Sequence, residues 1–255
     1  MDWDVLNTGL KRLKLRRIRE ILGMEDAKER LSEFDDPLLM VSHLISEEVS
    51  ARDETQRELR LRQARFPGKK TLEAFDFSVQ SSVNPEAIQT LETLDFVRQK
   101  ENVVFLGPPG IGKTHLAIAL GIKAVEEGFG VRFVTAGQLI DDLYASLADG
   151  SFKREMKRWA AFDLLVIDEL GFLSLDRTAS DHFFQVINQA YEKQSIILTT
   201  NRPFQEWAGL FDDAVTVSAI LDRLLHHVHL FNMKGNSYRL NHHLNSKQEG
   251  VSSVI

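Results

Sequence analysis

Hydrophobic positions change their period twice along this chain. From the N-terminus to about residue 66 they recur at helical spacing: Leu10, Leu13, Ile18, Ile21 and Leu22 mark "LKRLKLRRIREIL", and a second helical run opens at Pro37. The stretch "FPGKKTLEAFDFS" breaks the pattern with Pro67 and Gly68 and predicts a linker or neck over 67–83. From Asn84 onward, short apolar runs alternate with helical stretches: "NVVFL" (102–106), "GVRFVT" (130–135), "DLLVIDE" (163–169), "SIILTT" (195–200) and "HVHLF" (227–231). Runs this short and apolar, separated by helices, predict a five-stranded parallel sheet covered on both faces, an α/β architecture. The expected organisation is a small all-α domain over 1–66, the neck, an α/β domain over 84–240 and a loose tail over 241–255.

Composition narrows the class. The 255 residues are 43% hydrophobic, ample for a packed core, and contain no cysteine, which excludes disulfides and thiolate metal sites. No apolar run approaches the ~18 residues that span a bilayer, and "MDWDVLNTGL" lacks the basic start and apolar centre of a signal peptide, so the expectation is a cytoplasmic protein with no membrane partner. The net charge of −6 is unevenly spread: the first 70 residues carry 15 Lys and Arg against 14 Asp and Glu, the remainder 16 against 23. Six basic residues fall between Lys11 and Arg19 with no acid among them.

The chemistry is concentrated in "VVFLGPPGIGKTHLAIAL". Gly107, Gly112, Lys113 and Thr114 satisfy G-x-x-x-x-G-K-[ST], with an apolar strand before and a helix after. Glycines at 107, 110 and 112 let backbone N–H groups face phosphate oxygens, and the helix N-terminus adds partial positive charge. The nucleotide cradle is therefore expected to run Gly107, Pro108, Pro109, Gly110, Ile111, Gly112, Lys113, Thr114 and His115, with ATP as cofactor. Lys113 reaches the β and γ phosphates and Thr114 ligates Mg²⁺. A second carboxylate comes from "LLVIDEL": Asp168 holds the metal's water shell and Glu169 polarises the attacking water. In "SIILTTNRP", Asn201 stands where a side-chain amide could meet that water or the γ phosphate, although Asn before Arg-Pro also makes a turn. Arg223 in "AILDRLLHHVHLF" and Arg239 in "GNSYRL" are the two candidates for a charge-stabilising arginine.

The ordered set "GPPGIGKTHLA", "LLVIDELGFL", "TTNRPFQEW", "DRLLHH" and "GNSYRL" resembles the AAA+ ATPases of the IstB and DnaC-like group over nearly the whole chain. The helical N-terminal part and the neck look most like the IstB helper ATPases of insertion-sequence transposition. The resemblance implies a P-loop AAA+ core in which Lys113 and Thr114 are Walker A, Asp168 and Glu169 Walker B, and Asn201 sensor 1. It makes Arg223 an arginine finger entering the neighbouring subunit's site, hence a homo-oligomer with ATP between protomers, and Arg239 a sensor 2. AAA+ proteins usually carry a helical lid after the core; only a short tail follows Leu240, a reduction similar to that of the DnaC-like group.

The same comparison directs attention to 136–160, where Lys153, Arg154, Lys157 and Arg158 fall at i,i+4 spacing on one helix face. Lacking nearby acceptors, they suit contact with a phosphate backbone without sequence readout, the alternative being a solvated face paired with local acids. The N-terminal run, with Lys11, Arg12 and Arg16, is a second phosphate-tracking surface or a docking helix for a partner protein. His226, His227 and His229 do not read as a metal site, because no Cys and no appropriately spaced carboxylate accompanies them. The expected function is an ATP-dependent protein that assembles on duplex DNA, deforms it and recruits a transposase. The alternatives are a replicative helicase loader and a P-loop small-molecule kinase.

Overall fold

The structure, a computed structural model, describes residues 3–172, 174–211, 213–235 and 237–238. The chain divides into two compact units, Met1–Leu59 and Arg60–Ile255. The division falls inside a continuous helix rather than at the Pro67–Gly68 break.

In the first unit, α1 (Trp3–Arg12), α2 (Arg16–Leu22), α3 (Ala27–Ser32) and the first turns of α4 (Pro37–Ala64) enclose a small core of Leu10, Ile18, Ile21 and Leu44. Helix α2 has no cap of its own, since Leu15 precedes it. The Glu48 carboxylate of α4 replaces the cap, accepting the N–H groups of Arg17 at 2.8 Å and Ile18 at 3.1 Å and the Nε of Arg52 at 2.8 Å. Burial would push the Glu48 carboxyl up, but the Ile18 N–H, the Arg52 guanidinium and the Arg17 N–H together hold it below the usual carboxylate range.

The second unit begins with the last turns of α4, whose Leu61 and buried Ala64 belong to its core. After the irregular neck come α5 (Pro85–Glu92), capped by the Asn84 side chain, and α6 (Asp95–Arg98). The main sequence then runs β1 (Asn102–Leu106), α7 (Lys113–Glu126), β2 (Val131–Thr135), α8 (Ala136–Ala148), α9 (Phe152–Trp159), β3 (Leu164–Leu170), α10 (Arg177–Ala190), β4 (Ser195–Thr200), a 3-10 helix (Phe204–Gly209), α11 (Ala214–Leu225) and β5 (Val228–Asn232). Among the described residues the five strands pair in parallel in the order β2-β3-β4-β1-β5, each within a residue or so of its apolar run.

Alternation along the strands builds two cores. Val104, Val134, Leu165, Ile167, Ile196 and Leu198 face α8 to α11, whereas Val103, Phe105, Val131, Phe133, Leu164, Val166 and Ile197 face α5 to α7. Strand β4 lies between β1 and β3, so the residues at its C-terminal end stand beside those of both neighbours. One polar residue interrupts the expected apolar run of β2. Arg132, 4% exposed, donates to the Gln63 carbonyl at 3.0 Å and lies over the Trp159 ring, tying the edge strand to the end of α4 and to α9.

Candidate nucleotide-binding site

The loop between β1 and α7 has positive φ at Gly107 (151°), Gly110 (80°) and Gly112 (99°). At Gly107 a side chain would also meet the Met233 carbonyl at 2.1 Å, so only glycine lets the chain after β5 close against the loop. Lys113 Nζ is held over the loop by the carbonyls of Gly107 at 2.7 Å and Pro108 at 2.8 Å. Thr114 Oγ1 donates to Asp168 Oδ1 at 2.9 Å, uniting the start of α7 with the end of β3 although 54 residues separate them. Asp168 is 3% exposed, so its ion must be satisfied by donors or by a cation. A hydroxyl oxygen beside a buried carboxylate is the donor chemistry of a hard cation, and Thr114 with Asp168 fit Mg²⁺.

At the end of β3 the ladder to β4 slips between Ile167 and Leu170. Glu169 there adopts φ +62°, its N–H donating to Thr199 Oγ1 at 3.0 Å, and its side chain is exposed while that of Asp168 is buried. The bulge thus turns two consecutive acids in opposite senses. Thr199 also donates its hydroxyl to Asp168 Oδ1, so one side chain positions both members of the acidic pair. Two residues beyond Glu169, Gly171 has φ +124°, and a Cβ there would meet Asn201 Oδ1 at 2.4 Å. The Asn201 amide therefore lies against the acidic turn, and its Oδ1 is buried without a hydrogen-bond partner. A buried orphan acceptor beside a carboxylate pair is suited to receive a proton donor such as water.

The neck is part of this site. Thr71, Ala74, Phe75, Val79 and Gln80 line a cavity of about 660 Å³ together with Gly110–His115, Ile118 and Tyr238. Phe75 packs over Gly112 and edge-on to the His115 ring, 5.4 Å between centroids. His115 Nε2 lies 2.7 Å from the Thr71 carbonyl, and Gln80 Nε2 donates to the Ile111 carbonyl at 3.0 Å. Tyr238 N–H donates to the Gly110 carbonyl at 2.9 Å, which brings Tyr238 onto the loop. Arg239 and the tail 241–255 lie outside the described residues.

Gly107–His115, Asp168, Glu169 and Asn201 thus meet at the C-terminal edge of the sheet. Arg223 is held elsewhere: its Nε donates to Asn188 Oδ1 at 2.9 Å, its NH1 to the Ala219 carbonyl at 2.9 Å, and its guanidinium lies over the Phe184 ring. Lys153, Arg154, Lys157 and Arg158 are exposed on α9, while Phe152, Met156 and Trp159 pack on the core; Arg158 pairs with Glu155 at 2.9 Å. In the first unit Lys11 and Arg12 are exposed at the end of α1, and Arg16 pairs with Glu20 at 2.9 Å. Thr199, Gly171 and Phe75 were not legible as site residues: a threonine, a glycine and a phenylalanine carry no chemical signature until the fold sets them beside one.

The histidines separate in space. His229 Nε2 bonds Glu101 at 2.7 Å, whereas His226 and His227 meet Glu192, the carboxylate that spacing along the chain does not supply.

A profile of the family described as "IstB-like ATP binding protein" matches residues 8–246. The chain is 42% identical over 238 residues to an insertion sequence IS21 ATP-binding protein of Pseudomonas aeruginosa, covering 92% of this chain and 88% of that one. It is 42% identical over 197 residues to an insertion sequence IS5376 ATP-binding protein of Geobacillus stearothermophilus, covering 77% and 78%. Among solved structures it resembles the replication initiator DnaA bound to AMPPCP and single-stranded DNA, with a TM-score of 0.53 and 25% identity, over 67% of this chain and 51% of that longer one.

Proposed function

We propose that this chain, which belongs to the family of IstB-like ATP-binding proteins and has the AAA+ P-loop fold, uses ATP to control its own assembly on duplex DNA. In this reading it deforms the duplex and recruits a transposase, and hydrolysis releases the assembly. The observation that carries the proposal is α9: four cations on its outward face and three apolar side chains on its inward face, attached to the same unit as the nucleotide site. Arg158 is paired with Glu155, but Lys153 and Lys157 make no ion pair among the described residues; cations so presented favour a polyanion, and bending a duplex costs several kcal/mol that such contacts across several subunits would offset.

Within the site, Lys113 and the loop N–H groups bind phosphate oxygens. Thr114 and Asp168 would hold Mg²⁺, which would supply charge neutralisation at the phosphates. Glu169 takes the proton of the attacking water, and Asn201 orients that water through its otherwise unpartnered oxygen. Arg223 lies with Asn188 and Phe184 of α10 rather than at the loop of its own chain, which supports delivery to a neighbouring protomer.

The test is binding of the purified protein to long duplex and to single-stranded DNA with ATP or ADP across a salt series, alongside sedimentation. ATP-dependent, salt-sensitive assembly on duplex is the expected result. A preference for single strands would overturn it and favour the helicase-loader reading, to which the similarity with a DnaA–single-stranded DNA complex gives some support.

A further inference from the structure

We infer that Glu192, His226 and His227 form a site for a divalent transition-metal ion, Zn²⁺ being the natural occupant. One ligand atom from each of these three residues lies within 4.8 Å of the others. Around a zinc ion with bonds of about 2.0–2.1 Å, tetrahedral ligand atoms stand about 3.4 Å apart. The difference is at most about 1.4 Å per pair, and all three side chains are exposed and so have room to adjust their torsions toward the ion. Two imidazoles are borderline donors that favour Zn²⁺ over Mg²⁺ or Ca²⁺, the single carboxylate is a harder ligand that Zn²⁺ also accepts, and with three protein ligands a fourth position is left to water.

The surroundings fit. Tyr191 Oη lies 2.9 Å from His226 Nδ1, the kind of hydrogen bond that orients a ligating imidazole from behind. The His226 and His227 rings stand 4.0 Å apart between centroids, tilted by 49°.

The placement gives the ion a consequence. Glu192 follows the end of α10, and the two histidines follow the end of α11. Arg223 on α11 is itself held by Asn188 and Phe184 of α10, and it lines the same cleft as the three ligands. A bound ion therefore staples together the two helix ends that present the arginine, independently of nucleotide.

The experiment uses the metal-stripped full-length protein without nucleotide. Cobalt(II) is titrated while its visible absorption is recorded, then displaced by Zn²⁺; the variants are Glu192→Gln and His227→Asn, with His229→Asn as control because His229 pairs with Glu101 instead. We expect one equivalent of tetrahedral cobalt, displaced by zinc, and an apparent Kd weakened about tenfold or more in both ligand variants but not in the control. A melting temperature that rises with Zn²⁺ in the parent and the control but not in the ligand variants is the second readout, and each variant's far-ultraviolet dichroism verifies its fold. Absence of a tetrahedral cobalt spectrum, or a spectrum that survives Glu192→Gln and His227→Asn unchanged, overturns the proposal.

Discussion

Thr199 shows how much of the site rests on a residue with no chemistry of its own. Its hydroxyl donates to Asp168 and accepts from the N–H of Glu169, so replacing it by valine leaves a buried carboxylate short of a donor and frees the bulge. Thr199→Val is expected to lower kcat by about 10²-fold with little change in nucleotide affinity, and Thr199→Ser to restore most of it, as read by steady-state hydrolysis and a fluorescent-nucleotide titration. Loss of affinity without loss of kcat would show that Thr199 acts on binding instead. Phe75 makes the reverse prediction. It contacts the loop and a wall of the cavity but neither the acids nor Asn201, so Phe75→Ala is expected to weaken nucleotide binding about tenfold and to leave kcat at saturation within about twofold. Both residues are invisible to motif reading because they act through contacts made by residues 31 and 37 positions away in the chain.

Helix α2 carries the lesson at the level of elements. Its periodicity predicts a helix, but its start is secured from α4 by Glu48, in a role a local capping residue normally fills. The folded Glu48 carboxyl titrates below its ordinary value, so its contribution is fully present above the ordinary carboxylate range and disappears as pH falls through the depressed value. Amide exchange at Arg17 and Ile18 should therefore be well protected from neutral pH down through the ordinary carboxylate range and lose protection as pH falls below it. Glu48→Gln should cost the first unit about 1–3 kcal/mol near neutral pH and flatten that acid dependence. An unchanged profile in the variant would show that Glu48 does not secure the helix start. Helix α9 is the complementary case, since Phe152, Met156 and Trp159 fix which face is inward and so leave Lys153 and Lys157 outward whatever they bind. If those two lysines meet DNA phosphates, Lys153→Ala with Lys157→Ala should reduce the slope of log K against log salt by about 1–2. An unaltered slope would remove α9 from the interface.

At the scale of the whole molecule the question is whether one chain makes a complete site. The proposal that Arg223 serves a neighbour predicts complementation: Arg223→Ala and Glu169→Gln, each expected to hydrolyse ATP at least about 10²-fold more slowly than the parent, should regain activity when mixed. In a mixed assembly some sites pair an intact Glu169 with an intact Arg223 from the adjacent protomer. A mixture no more active than the sum of its parts would place the arginine's action within its own chain or outside catalysis.

The sequence by itself determined the strand positions and the two-sided burial of the sheet, and it marked Lys113, Thr114, Asp168 and Glu169 as the candidate site. The reason is that these are local properties: a strand's apolar run and a glycine-rich turn are constrained by backbone conformation and burial over five to ten residues. The tertiary structure decided what depends on neighbours across strands and loops. It set β4 between β1 and β3, which puts Thr199 against Asp168, and it turned Asp168 inward and Glu169 outward at a bulge. It folded the neck into the nucleotide cavity, so that a stretch read from Pro67 and Gly68 as a linker supplies Thr71, Phe75 and Gln80 to the site. It also brought Glu192 to His226 and His227, which no spacing along the chain could reveal, because side chains 34 and 35 positions apart become ligands of one ion only when two helix ends are packed side by side.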